Sequence, residues 1–113
     1  MNFRVSQRSG VTILALDGNL LGGPDAGRLR KKVDELLEAG KNQIVLDAAR
    51  VEFMNSSGLA MMIGALNAVR SAGGDLAVAN ASEKLATVIT VTRLGGLFRL
   101  YDSVAAAASA LRT

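Results

Sequence analysis

The sequence predicts one α/β domain built on a mainly parallel sheet. Short apolar runs alternate along it with amphipathic segments of helical period, and strands that alternate with helices pair in parallel through right-handed crossovers. Its 113 residues suit one domain and leave little room for two. Half of the residues are hydrophobic and a fifth are charged, the balance of a chain that folds on a core.

Phe3 to Gln7 and Val11 to Asp17 are rich in apolar and β-branched residues, and Arg8-Ser9-Gly10 between them reads as a tight hairpin turn. Gly18 to Gly23 is a loop. Pro24-Asp25 opens a helix whose apolar stripe is Leu29, Val33, Leu36 and Leu37, and Gly40 is its natural stop. Gln43 to Asp47 carries three consecutive apolar residues, as a central strand buried on both faces does. Asn55-Ser56-Ser57-Gly58 precedes a second helix, Leu59 to about Ala72, closed by Gly73-Gly74. Asp75 to Ala79 is another buried strand. Asn80 to Glu83 has the N-x-x-E spacing of a capping box before a helix to about Thr92. Leu97 to Tyr101 is a last strand, and Asp102 or Ser103 caps an alanine-rich helix to Leu111. The order is β-β-α-β-α-β-α-β-α. The hairpin makes one edge pair antiparallel, so the expected sheet is mixed.

The composition narrows the function. Without cysteine there is neither a disulfide nor a thiolate metal site, and without histidine the commonest general base and zinc ligand are both missing. A Ser-His-Asp or Cys-His centre cannot be built. No catalytic centre, metal or cofactor is expected. The N-terminus lacks the apolar run of a signal peptide, and Leu59 to Leu66 is too short to span a bilayer, so a cytoplasmic protein with no membrane partner is expected. The net charge is +3, but Arg28, Arg30, Lys31 and Lys32 share their helix with Asp34, Glu35 and Glu38. That is a solvated mixed-charge face rather than a nucleic-acid stripe interleaved with aromatics. Asp47 ends a strand as a phospho-accepting aspartate would, but the acid pair a receiver domain needs for magnesium is reduced to Asp17. The Gly22-Gly23 pair lacks the Gly-Lys-Ser/Thr of a phosphate-binding loop and reads as a flexible turn.

The informative segment is Asn55-Ser56-Ser57-Gly58-Leu59, where a strand and its connection feed a helix. Open α/β sheets place ligand and partner sites on such loops. The plain account is an N-cap, since Asn and Ser oxygens accept orphan backbone N–H groups. The functional account is a phosphorylation switch. A phosphate at a helix N-terminus meets free N–H groups and the positive end of the dipole, so it changes the surface charge without melting the helix.

Phe53-Met54-Asn55-Ser56-Ser57-Gly58-Leu59 resembles the signature of the STAS family, the bacterial anti-sigma factor antagonists, whose pattern is Asp-Ser-Ser-Gly-Leu or Asp-Ser-Thr-Gly-Leu after an apolar strand. The resemblance extends to the hairpin, the Gly18-Asn19-Leu20 turn, the helix order and the late Leu94-Gly95-Gly96-Leu97-Phe98 segment. It implies a STAS-like domain over residues 1–113, with a mixed four- to five-stranded sheet and helices largely on one side. It also implies an anti-sigma factor antagonist, monomeric when free. Unmodified, such a protein binds an anti-sigma factor that is also a serine kinase and releases a sigma factor. Phosphorylation of Ser56 switches it off, and a serine phosphatase resets it. A phosphorylation-independent scaffold or transport-complex subunit is the alternative. Asn55 replaces the family's aspartate, capping as well but removing a charge beside the acceptor. Leu21 stands where some members carry an acid.

The second helix adds a candidate surface. With Leu59, Met62, Ile63, Leu66 and Val69 as its core face, the opposite face is Ala60, Met61, Gly64, Ala68 and Ser71. Small apolar residues there suit either close packing against a neighbouring helix or an exposed docking stripe. The resemblance favours the stripe, and the partner-binding set is then Asn55, Ser57, Gly58, Leu59, Met61, Gly64 and Ala68.

Overall fold

A computed structural model describes residues 1–91 and 98–112. The elements are β1 (Asn2–Arg8), β2 (Val11–Asp17), α1 (Pro24–Glu38), β3 (Gln43–Arg50), α2 (Ser56–Ser71), β4 (Asp75–Ala79), α3 (Glu83–Val91), β5 (Arg99–Tyr101) and α4 (Val104–Arg112). The five strands lie in sequence order across one sheet. β1 runs antiparallel to β2, and the remaining neighbours are parallel. The expected mixed sheet is present with its fifth strand. The expected Leu94 to Leu97 segment lies outside the described residues.

The hairpin turns on Ser9 and Gly10, both at positive φ, 51° and 84°. A two-residue loop of that kind matches the twist of the flanking strands. Along the inner strands the side chains alternate between two cores. Leu14, Leu16, Ile44, Leu46, Leu76 and Val78 face the larger core, together with Leu29 and Val33 of α1, Leu66 and Val69 of α2, and Leu85 and Ile89 of α3. Val11, Ile13, Val45, Ala77 and Ala79 face the other way, onto Ala107, Ala108 and Leu111 of α4. Three helices thus cover one face and α4 covers the other. Alanines at the α4 contact let that helix lie close to the sheet.

Two capping expectations resolve differently. Ser103 caps α4, its Oγ accepting from the Ala106 N–H at 3.0 Å. Asn80, however, does not cap α3. Its backbone turns into the left-handed region at φ 60°, where asparagine is tolerated. Its Nδ2 donates to Asp47 Oδ1 at 3.0 Å, and its N–H donates to the Tyr101 carbonyl. Ser82 takes over the cap, with Oγ accepting from the Leu85 N–H at 3.1 Å. Asp47 also accepts from the Ala49 N–H, and it ties the end of β4 to β3, which runs on to Arg50 beyond the expected end at Asp47. Asp17 pairs instead with Arg50, at 3.4 Å.

Candidate functional site

The three helices α1, α2 and α3 all begin at the carboxyl ends of parallel strands, so their N-termini gather on one edge of the domain. The site is built there from two loops. Residues Gly18 to Gly23 follow β2, and residues Val51 to Asn55 follow β3. Backbone hydrogen bonds staple the loops together: Leu20 N–H donates to the Phe53 carbonyl at 3.0 Å, and Asn55 N–H donates to the Leu20 carbonyl at 3.2 Å. Asn19 Oδ1 accepts from the Phe53 N–H at 3.1 Å. Leu20 and Met54 are buried beneath the staple.

Gly58 sits on top of it. A Cβ at that position would overlap the Leu20 carbonyl oxygen, so no other residue fits without moving the backbone. Gly22 is a second close approach. It has φ 79°, and a Cβ there would stand 2.7 Å from Ser57 Cβ. The glycine pair expected as a flexible turn is therefore a fitted contact at Gly22. Its partner lies 35 residues away in the chain, and no local pattern reveals it.

Asn55 is the cap of α2. Its backbone is extended, at φ −102° and ψ −177°, and its Oδ1 accepts from the Gly58 N–H at 2.8 Å. This releases Ser56 from capping. Ser56 opens the helix, is exposed, and its hydroxyl makes no hydrogen bond among the described residues. Ser57 is also exposed, but it lies against Gly22. Two large apolar side chains stand nearby in solvent, Leu21 at 47% and Phe53 at 42% exposure. They come from the two stapled loops and were not among the expected site residues. Lys84, from the first turn of α3, places its Nζ 5.3 Å from the centre of the Phe53 ring.

The α2 face corrects the expected stripe. Met61 is buried, in the same cluster as Leu29, Val33 and Leu36 of α1. Gly58 and Leu59 are buried as well, so they shape the site from below and do not form its surface. Ala68 is half-buried and packs against the same core. Ile63, expected inside, is only half-buried. The exposed arc runs through Ser56, Ala60, Asn67 and Ser71, with half-buried Gly64 on the same side. Compared with the expected stripe, it is rotated about the helix axis by roughly 60°, from the 100° per residue of an α-helix. The reason is that α2 rests on both the sheet and α1, which widens its buried arc beyond one sheet-facing stripe. Gly64 keeps its expected place, with open space where a side chain would be.

At the opposite end of α2 a carboxylate gathers two arginines. Asp75 receives Arg70 at 3.3 Å and Arg99 at 3.2 Å. Partial burial opposes ionisation of its carboxyl, but hydrogen bonds from the Leu76 N–H, Arg99 and Arg70 outweigh that and hold it below the ordinary carboxylate range. Among the described residues, no three acids, histidines or cysteines gather to hold a metal ion, and no helix is long and apolar enough to cross a membrane.

The fold and site together define a single-domain α/β protein that presents an exposed serine at a helix N-terminus, with two large exposed apolar side chains on the adjoining loops. The STAS domain profile matches residues 2–107, and the chain belongs to that family. A Thermotoga maritima protein provisionally named an anti-sigma factor antagonist is 32% identical over 79 residues, 70% of each chain. The crystal structure of an anti-sigma factor antagonist of that organism, likewise provisionally named, superposes with a TM-score of 0.87 at 29% identity, over 98% of this chain and 95% of that one. The Bacillus anti-sigma factor antagonist SpoIIAA shares the fold. Its unphosphorylated form gives a TM-score of 0.71 at 19% identity, over 96% of both chains, and its phosphorylated form 0.72 at 20%, over 98% of this chain and all of that one.

Proposed function

We propose that this protein is a non-enzymatic anti-sigma factor antagonist switched by phosphorylation at Ser56. Unmodified, it binds an anti-sigma factor that is also a serine kinase and so frees a sigma factor. Phosphorylated, it is released, and a serine phosphatase returns it to the binding form. The single observation that carries this reading is the division of labour at the start of α2. Asn55 does the capping, so Ser56 offers an exposed hydroxyl with no structural duty. A phosphate there adds roughly 1.5 to 2 negative charges, which the helix N-terminus tolerates. The helix beneath it stays formed while negative charge is added to the surface.

The partner-binding surface is the apolar ground around that hydroxyl: exposed Leu21, Phe53 and Ala60 and half-buried Gly64, with Asn55 and Ser57 at its centre. Leu21 and Phe53 are the anchors, because large side chains that become desolvated carry most of an interface. A dianion placed among them opposes a dry contact directly.

The test is to incubate the protein with its cognate kinase and ATP and to map phosphate by mass spectrometry. Ser56→Ala should abolish labelling and leave stability within about 0.5 kcal/mol, as for a surface change. Ser57→Ala should still label. Labelling that survives in Ser56→Ala would remove the assignment. No labelling of the parent, with partner binding intact, would favour the phosphorylation-independent scaffold.

A further inference from the structure

Lys84 stands in the first turn of α3, on the same edge of the domain as the N-terminus of α2. Its ammonium lies over the Phe53 ring at 5.3 Å, and no carboxylate pairs with it among the described residues. Phe53 stands three residues before Ser56 on the same loop, and the backbone between them passes through the Met54 bridge and the extended Asn55. The Phe53 and Ser56 Cα atoms are therefore at most roughly 11 Å apart, and α3, with Lys84 in its first turn, starts from the same edge of the sheet as α2. Glu52 and Glu83, the acids adjacent in sequence to Phe53 and Lys84, are both exposed, and among the described residues neither forms an ion pair with Lys84.

An ammonium over an exposed aromatic ring is held weakly. A phosphate dianion is a far stronger partner for it, through charge-assisted hydrogen bonds. We propose that Lys84 is the internal counter-ion of phosphorylated Ser56: on modification it leaves the Phe53 ring and pairs with the phosphate. This rests on Ser56 being the acceptor. The consequence is a second change at the same surface. Phosphorylation adds charge and also withdraws the lysine that covers Phe53, so the apolar anchor and the cation beside it are rearranged together. Lys84 is a positioning residue here, acting on the shape of the phosphorylated surface.

The experiment installs phosphoserine at position 56 of the full chain during translation, so that no kinase is needed and the reading of Ser56 as a kinase substrate is not at stake. Two observables follow. In the unmodified protein the Lys84 methylene protons should be shifted upfield by the Phe53 ring, and the shift should vanish in the phosphoserine form. In a phosphorus-31 titration, Lys84→Gln should raise the second ionisation of the phosphate by about half a unit, while Lys84→Arg should keep it low. Both follow from a cation leaving the ring for the phosphate. If the upfield shift persists after modification, or if Lys84→Gln titrates like the parent, the helix N-terminus alone accommodates the phosphate and the proposal is overturned. Failure of a kinase to label Ser56 would leave both measurements standing.

Discussion

At the N-terminal end of α2, Gly58 lies against the Leu20 carbonyl. At the C-terminal end, Gly74 lies against the Asn42 carbonyl, and again a Cβ would overlap the oxygen. The helix is thus fastened to the neighbouring chain at both ends by the same device, a glycine that lets two backbones meet. What surrounds the two fastenings is opposite in kind. Around Gly74, Asn42 Nδ2 donates to the Ala72 carbonyl, Asp75 N–H donates to the Asn42 carbonyl, and the Asp75 carboxylate holds Arg70 and Arg99. Around Gly58 a free hydroxyl and two solvent-exposed apolar side chains remain. A tight backbone contact therefore marks rigidity and nothing more. The proposed functional end is the one where a tight backbone contact carries an exposed hydroxyl beside large exposed apolar side chains.

The largest expected effects test whether the two fastenings are equally stiff. Gly58→Ala and Gly74→Ala each force backbone apart, and each should lower stability by at least about 3 kcal/mol in urea denaturation, at the upper end of overpacking costs. If Gly58→Ala proves much milder, the Leu20 loop yields, and the functional end is the softer of the two.

Next comes the middle of α2, where its two faces can be compared. Met61→Glu buries a charge against α1 and should cost about 3 kcal/mol or more. Ala60→Glu leaves its charge in water and should cost less than about 1 kcal/mol of stability, while weakening partner binding by at least about 2 kcal/mol. Denaturation alongside a binding titration separates the two. A stable Met61→Glu protein that fails to bind would restore the expected stripe.

The Met61 face shows where legibility in the sequence ended. Period-2 and period-3.6 patterns placed the nine elements to within a few residues, because those patterns reflect which side of one element meets a core. How far α2 is rotated depends on a second neighbour, α1, and a single-helix pattern does not contain that. Asn80-x-x-Glu83 matched a capping box in spacing, but Asp47, 33 residues earlier, claimed the Asn80 side chain. The Asn55 cap was readable because a cap is local. Gly22, Leu21 and Phe53 were not, since their importance arises only where two distant loops are stapled. Of the resemblance, the Leu94-Gly95-Gly96-Leu97 stretch lies outside the described residues, and the likeness rests on the rest of the chain.

A smaller effect distinguishes the ends by pH. Asp75 is held below its ordinary range in the folded state, so its stabilisation is present above the unfolded value of about 3.9 and is lost as pH falls through the lower folded value. Asp75→Asn should therefore cost about 1 kcal/mol near neutrality, given the partly exposed ion pairs, and the deficit should shrink on acidification below about pH 4. Partner binding should be unchanged, because the pair lies at the far end of the helix. A binding defect in Asp75→Asn would mean that the two ends communicate.

The smallest expected change in stability comes from Asn55→Asp, which makes the site match the family pattern. Both side chains offer the same oxygen to the Gly58 N–H, and a carboxylate gains a little from the helix dipole, so stability should rise by no more than about 0.5 kcal/mol. The charge it adds stands one residue before Ser56, the proposed acceptor. If the family's acid helps to seat the kinase, Asn55→Asp is phosphorylated faster than the parent at equal kinase concentration, with Ser56→Ala in the same background unlabelled. An unchanged rate would show that the cap needs only an oxygen, and that the kinase is selected by Leu21 and Phe53, the side chains that distinguish this end of the helix from the other.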